Sequence, residues 1–315
     1  MKSRKNVFCF AILLTAALVL LVGIASLTTA KEVSPPADDG KLRIIVFGAH
    51  PDDCELKAGG VAAMWAAQGH HVKFVSTTNG DIGHAEIAGG PLARRRTKEV
   101  QEAAKILGIE TEVLDNHDGE LMPTLENRKT FVRLIREWKA DVVMGHRPND
   151  YHPDHRYTGV LMQDAAFMVT VAFFYPDVQQ LPTNPVFLYL SDDFKKPNPF
   201  EPAVVVDIDD VFEKKIEAIW TLESQIESLW ATGNFERIVP VPKEPEACQK
   251  RKEQVHERIS KRDKATADKY RAKLSELYGE EKGQKVQHAE AFELCEYGRQ
   301  PSMDELKKLF PFFGS

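Results

Sequence analysis

From Leu42 onward the chain alternates short apolar, β-rich runs with helical segments, and this alternation limits the fold more than any other feature. "LRIIVFGA" reads as a strand, and "AGGVAAMWAAQG" as a helix closed by Gly69. "HVKFVSTT" is a second strand, followed by a Gly-rich loop, "NGDIGHAEIAGGP". "ARRRTKEVQEAAKILG" is an amphipathic helix ending at Gly108, and "TEVLD" is a third strand. "LENRKTFVRLIREWK" and "DVVMGH" supply a further helix and a fourth strand. Strands and helices alternating at this length predict βαβ units. The expected fold is α/β: a Rossmann-like, mainly parallel sheet with helices on both faces.

After residue 155 the order loosens. "VFLYL" and "AVVVDI" read as strands, a helix begins near Asp209 or Asp210, and a strongly charged helix runs from about Ala247 to Leu277. Apolar heptads are not sustained there, so the charges are expected to solvate an exposed face. The expected organisation is a signal peptide at 1–30, a linker at 31–41, an α/β catalytic domain at 42–208, and a mostly helical part at 209–315 packing on the same domain.

The first thirty residues differ in kind. Lys2, Arg4 and Lys5 precede an apolar run from Val7 to about Ile24, and small residues at Thr28 and Ala30 suit cleavage after Ala30. The expectation is export, periplasmic or extracellular; an uncleaved segment would instead anchor the chain to a membrane. Three cysteines then remain, Cys54, Cys248 and Cys295, an odd number that describes no disulfide framework. A Cys248–Cys295 pair has no support beyond arithmetic. The net charge of −6 and the lack of a basic cluster interleaved with aromatics argue against a nucleic-acid surface. With 43% apolar residues the bulk can bury a core, and Trp65, Trp138, Trp220 and Trp230 fall in helical patterns that belong to it.

Two loops carry the chemistry. "AHPDD" begins where the first strand ends, and "HRPNDYHPDHRYTG" where the fourth ends. Ligands of doubly wound sheets bind at the carboxyl ends of strands, so the two loops converge on one edge. His50 and Asp53 are three apart, as are His152 and His155, with Pro153 favouring the start of a helix. A catalytic zinc takes three protein ligands from imidazole and carboxylate donors, and four candidates exist for those places. Asp52 and Asp53 compete for one of them, and the spare carboxylate is what general-base chemistry beside a metal requires. Either motif alone also reads as a helix-capping turn, because Asp caps helices and Pro suits their first turn.

"AHPDDCE" with the distant "HPDH" resembles the LmbE-like, or PIG-L, family of zinc-dependent N-acetylglucosamine deacetylases. "RTKEVQEAAKILG", "TNGDIG", "DGEL" and "AEAF" resemble further family segments, and the likeness is good over about residues 42–206. The resemblance implies His50, Asp53 and His155 as metal ligands and Asp52 as the base that activates water. It implies His152 as the group that polarises the amide carbonyl, Asp154 as the residue that orients and charges His152, and Arg96 as a contact to substrate hydroxyls. Zn²⁺ is the implied metal, and Fe²⁺ or Co²⁺ also suit this donor set. The implied substrate is a small-molecule or oligosaccharide amino sugar; an oligomer is compatible. Unlike relatives with a Tyr shortly before the second motif, this chain has Tyr151 beside His152, and His288 precedes "AEAF" in place of Tyr.

Other polar residues have plainer readings. His84 and Asp81 belong to a loop that needs glycines, His117 and Asp118 are balanced between cleft and turn, and His146 reads as a satisfied structural histidine. His70, His71 and His256 read as surface residues, and Cys54 is expected to point away from the metal. Three other readings meet opposition in the sequence. A two-His, one-carboxylate iron site is opposed by the i, i+3 spacing and the βαβ order. A dinucleotide fold is opposed by the missing Gly-x-Gly-x-x-Gly. A non-catalytic carbohydrate- or metal-binding module is opposed by Asp52, which binding alone does not need.

Overall fold

The computed structural model describes residues 39–227 and 238–313. The predicted signal peptide, most of the linker and Trp230 lie outside the described residues. Within Gly40–Ser315, treated as one unit, the elements follow the predicted alternation. They run β1 (Arg43–Gly48), α1 (Asp53–Ala67), β2 (His71–Ser76), α2 (Gly90–Leu107), β3 (Glu110–Val113), α3 (Leu125–Trp138), β4 (Val142–Gly145) and α4 (Pro153–Met168). Then come β5 (Val186–Leu190), β6 (Val204–Asp207), α5 (Phe212–Trp220), α6 (Glu223–Ile226), α7 (Pro245–Lys269), α8 (Arg271–Tyr278), α9 (Glu280–Gly283), β7 (Ala289–Gly298) and α10 (Met303–Leu309).

The seven strands form one sheet in the order β3-β2-β1-β4-β5-β7-β6. β1 to β5 pair in parallel, and β7 runs antiparallel to both β5 and β6. Every residue of β1 is buried, as expected of a central strand covered on both faces. Ile44 and Val46 point into one core with Trp65, Val100 and Ile216, while Ile45 and Phe47 point into the other with Phe131, Val132 and Leu161. Period-two side chains thus feed two helical layers. The chain leaves β1 toward β2 and β3, then crosses back to β4 on β1's other side. The crevice between the carboxyl ends of β1 and β4 is therefore the topological switch point, where such sheets bind ligands.

Three details differ from expectation. α1 starts at Asp53, so the first histidine–aspartate loop passes directly into a helical turn. The long charged helix breaks at Tyr270 into α7 and α8, and its buried residues Val255, Ile259, Asp263 and Ala267 recur every four positions as a packing stripe. The C-terminal part, expected to be mostly helical, also supplies β7, which enters the sheet between β5 and β6. Trp65 is fully buried, whereas Trp138 and Trp220 are half-buried. Cys54, Cys248 and Cys295 are free thiols, so Cys248 and Cys295 do not pair. Among the described residues no helix is long and apolar enough to cross a membrane.

Candidate metal centre

The first loop folds tightly at the end of β1. Gly48 is required there, because a Cβ would stand 2.9 Å from both Asp53 Cβ and Cys54 Sγ. Asp53 Oδ2 accepts hydrogen bonds from Ala49 N (3.0 Å) and His50 N (2.9 Å), which turns its carboxylate back over the loop. Asp52 occupies the N-cap position of α1, yet its side chain makes no capping bond. The capping reading fails for this motif. In the second loop it holds for one residue: His152 caps α4, its Nδ1 accepting from Asp154 N at 3.2 Å, with Pro153 next in the first turn.

The two loops meet at three atoms. His50 Nδ1 lies 3.2 Å from His155 Nε2, and each lies 3.5 Å from Asp53 Oδ2. Zinc bonds of about 2.0–2.1 Å put tetrahedral ligand atoms roughly 3.3 Å apart, so this triangle has the size of one face of a zinc site. The donor set fits the metal that the sequence implies. Other donors stand close: His152 presents a nitrogen within 4.8 Å of His50 and His155, and His146 Nε2 is 3.2 Å from Asp53 Oδ2. His146 was read as structural; it is buried, with its ring stacked on His155 at 4.1 Å.

Both candidate imidazole ligands are backed by carboxylates. His50 Nε2 is 3.1 Å from Asp118 Oδ1 and 3.4 Å from Asp154 Oδ2, and His155 Nδ1 is 3.1 Å from Asp150 Oδ2. Such partners fix ring orientation and raise ligand basicity. Burial works against charge on His50, but Asp118, Asp154 and Asp53 hold its pKa well above the ordinary value. Burial likewise opposes ionisation of Asp53, but His155, His146 and His50 hold it well below the carboxylate range. Asp52 differs: burial pushes its carboxyl up, against Arg96, which pulls it down. His152 is pulled down by burial and by neighbouring His50 and His155. With Nδ1 accepting a backbone N–H, the neutral ring carries its proton on Nε2.

Two further residues that the resemblance implies have these contacts. Asp154 was expected to orient His152 through its carboxylate. That carboxylate is fully buried and accepts from Gly119 N (2.6 Å) and Leu121 N (3.2 Å), so it organises the loop after β3 and faces His50. The backbone N–H of Asp154 holds His152, and the Asp154 carboxylate, close enough to act through space, favours charge on that ring. Arg96 was expected to contact substrate. It is 2% exposed, with Nη2 3.3 Å from Asp52 Oδ2.

The remaining polar residues sort by contact. Asp81 accepts from Asp118 N (3.1 Å) and sits 2.7 Å from His117 Nδ1, so it props the loop that carries Asp118. His84 accepts from Glu86 N and Ile87 N and meets Glu227, stapling the Gly-rich loop to the segment after α6. Cys54 Sγ points to Val46 O, back into the sheet, as expected. Sequence reading missed Asp150 and left Asp118 undecided. The usable signal was an acidic residue at the end of each neighbouring strand loop.

Over residues 45–166, which contain both motifs, the chain matches the family described as PIG-L: GlcNAc-PI de-N-acetylase. It is 33% identical over 208 residues to diacetylchitobiose deacetylase of Thermococcus kodakarensis, covering 63% of this chain and 76% of that one. It is 28% identical over 199 residues to 4-oxalmesaconate hydratase of Pseudomonas putida, covering 59% and 74%. The solved structure of N,N'-diacetylchitobiose deacetylase from Pyrococcus horikoshii superposes with a TM-score of 0.60 at 24% identity, over 80% of this chain and 83% of that one, a likeness of fold.

Proposed function

Since the chain belongs to the PIG-L (LmbE-like) family, we propose that it is a metal-dependent hydrolase that removes an N-acetyl group from an N-acetylglucosamine-type amino sugar or conjugate. One observation carries the reading: His50 Nδ1, Asp53 Oδ2 and His155 Nε2 converge at 3.2–3.5 Å, and a second carboxylate, Asp52, stands next in sequence outside that triangle.

His50, Asp53 and His155 would hold the metal, Zn²⁺ by preference of the donor set, with Fe²⁺ or Co²⁺ as alternatives. Zinc bound there supplies a Lewis acid and lowers the pKa of its water from about 15.7 to roughly 7. Asp52 takes a proton from the attacking water as the C–O bond forms. The Nε2–H of neutral His152 donates to the amide oxygen as negative charge develops there, an oxyanion contact of the kind that contributes most to acyl transfer. Asp52 then returns its proton to the departing nitrogen as the C–N bond breaks, giving acetate and an amine. Asp118 and Asp150 keep the ligand rings in place throughout.

The test is acetate release by the zinc-loaded protein from N-acetylglucosamine conjugates and chitooligosaccharides. Stoichiometric acetate and free amine support the reading. No acetate under zinc, iron or cobalt loading contradicts it, as does oxygen-dependent turnover. Because one relative is a hydratase, loss of a substrate double bond without acid release would point to water addition instead. We also propose export with removal of residues 1–30. A recovered N-terminus at Lys31 supports this, and an intact Met1 in the membrane fraction contradicts it.

A further inference from the structure

We propose that Tyr151 and Phe194 form an aromatic wall beside the metal centre, on which the sugar next to the one being deacetylated stacks. The inference rests on the hydrolase reading above and narrows its substrate class to a di- or oligosaccharide in preference to a single amino sugar.

Tyr151 is 74% exposed, so packing in a core does not account for it. It immediately precedes His152, the N-cap of α4, and its ring stands edge-on to the histidines of the site. Ring centroids lie 5.8 Å from His152 and 5.7 Å from His155, at interplanar angles of 84° and 71°. Phe194, half-buried in the loop after β5, lies 6.3 Å from Tyr151 at 45°. The rings thus form a line that begins at the metal centre and leads to the neighbouring loop.

Both loops are held in place by polar contacts of their own. Arg156 Nη1 donates to Asp150 O (2.9 Å) and Tyr151 O (3.0 Å), and His152 N donates to Asp150 Oδ1 (3.0 Å). Lys57 Nζ donates to Ser191 O (2.6 Å), and buried Arg147 donates to Asp192 Oδ1 (3.1 Å) and Asn198 O (2.6 Å). Asp192 Oδ1 in turn accepts from Phe194 N (2.9 Å). Two cationic side chains therefore fix the loop that presents Phe194, which lowers the ordering cost of binding there.

The chemistry of the wall selects its occupant. A pyranose with equatorial substituents has a face of weakly positive C–H bonds, which packs on the negative face of an aromatic ring. Its hydroxyls stay in water around the ring edge, which suits a largely exposed tyrosine. Phe194 is flanked by exposed Asp193 and Lys195, a border that fits a hydroxylated ligand better than an alkyl chain. The reacting acetamide must reach the His50–Asp53–His155 triangle with its oxygen toward His152. Tyr151 abuts His152 and His155, and Phe194 abuts Tyr151, so the wall meets the substrate beyond its reacting sugar.

The test measures kcat/KM on N-acetylglucosamine and on N,N'-diacetylchitobiose for zinc-loaded wild type, Tyr151→Ala, Tyr151→Phe, Phe194→Ala and Phe167→Ala. The wild type should favour the disaccharide. Tyr151→Ala should lower the disaccharide-to-monosaccharide ratio about 2- to 10-fold, chiefly through KM. Phe194→Ala should lower it in the same direction, whereas Tyr151→Phe and the exposed control Phe167→Ala should keep it. An equal loss on both sugars, or an unchanged ratio in Tyr151→Ala, would overturn the proposal. Calorimetric binding of the disaccharide to the same zinc-loaded proteins separates this from failure of the hydrolase reading. Weaker binding by Tyr151→Ala supports the wall even where no acetate is released. Unchanged binding, or none by the wild type, overturns it. So does capture of octyl N-acetylglucosaminide in place of the disaccharide, which would make the wall a seat for an apolar aglycone. A dimer dissolved by Tyr151→Ala would assign the wall to a second copy of the chain and overturn it as well.

Discussion

Asp118 and Asp150 each stand 3.1 Å behind an imidazole of the triangle. Replacing either by Asn keeps the shape and removes the charge. Zinc affinity should fall about 10- to 100-fold for each variant, read by competition with a chromogenic chelator. At this scale the sequence was legible where chemistry is local. His50 and Asp53, and His152 and His155, are paired by a three-residue spacing that a turn or a helix start brings to one side. It was not legible where the partner lies on another loop. The resemblance implied Asp154 as the support of His152, but the sequence did not show that its carboxylate also accepts from Gly119 and Leu121 across the crevice. Arg96 lies among three consecutive arginines, and its place in the buried stripe of α2 with Leu92 and Val100 sets it apart from exposed Arg94.

α4 carries His152 and His155 and must lie close to the end of β4. Gly159 allows this: a Cβ there would be 2.6 Å from His146 O and 2.8 Å from Arg147 C, both backbone atoms that cannot move alone. Gly159→Ala should therefore push the helix off the loop, costing about 1–3 kcal/mol in urea unfolding and weakening zinc binding together. A control at the exposed helix position Phe167 should change neither. The helices and parallel strands were legible because their apolar periods are clean. α1 was read as starting late because its first turn, "DCELK", is polar for the sake of the site and carries no apolar period. β7 was hidden for a related reason: "AEAFELCEYG" mixes glutamates into a strand, and one of them, Glu290, is buried.

Glu290 ties the C-terminal part of the molecule to the helix that bears Asp53. Its carboxylate accepts from Gly60 N (2.9 Å) and Val61 N (2.8 Å) of α1. Lys215, fully buried on α5, bridges Glu290 (2.8 Å) and Asp263 of α7 (2.6 Å). Lys215→Met leaves the buried Glu290 carboxylate without its cation and Asp263 with Arg262 alone, and should cost about 3–5 kcal/mol of unfolding free energy. Replacing all three residues by apolar ones of similar volume should recover most of that loss. Burial alone would raise the Asp263 pKa, but Lys215 and Arg262 hold it below the ordinary value. A depressed carboxylate adds stability above its unfolded pKa of about 3.9, which is lost as pH falls through the folded value. Urea midpoints should thus fall below about pH 4 in the wild type and fall less in Asp263→Asn.

The central claim is that the two aspartates of "HPDD" divide the work, Asp53 binding metal and Asp52 moving the proton. Asp52→Asn measures it directly when zinc content and acetate release are determined on the same sample. Zinc should stay at one per chain, as in the wild type, and turnover should fall by about 10²- to 10⁴-fold. Undiminished turnover, or loss of the zinc together with the activity, would contradict it.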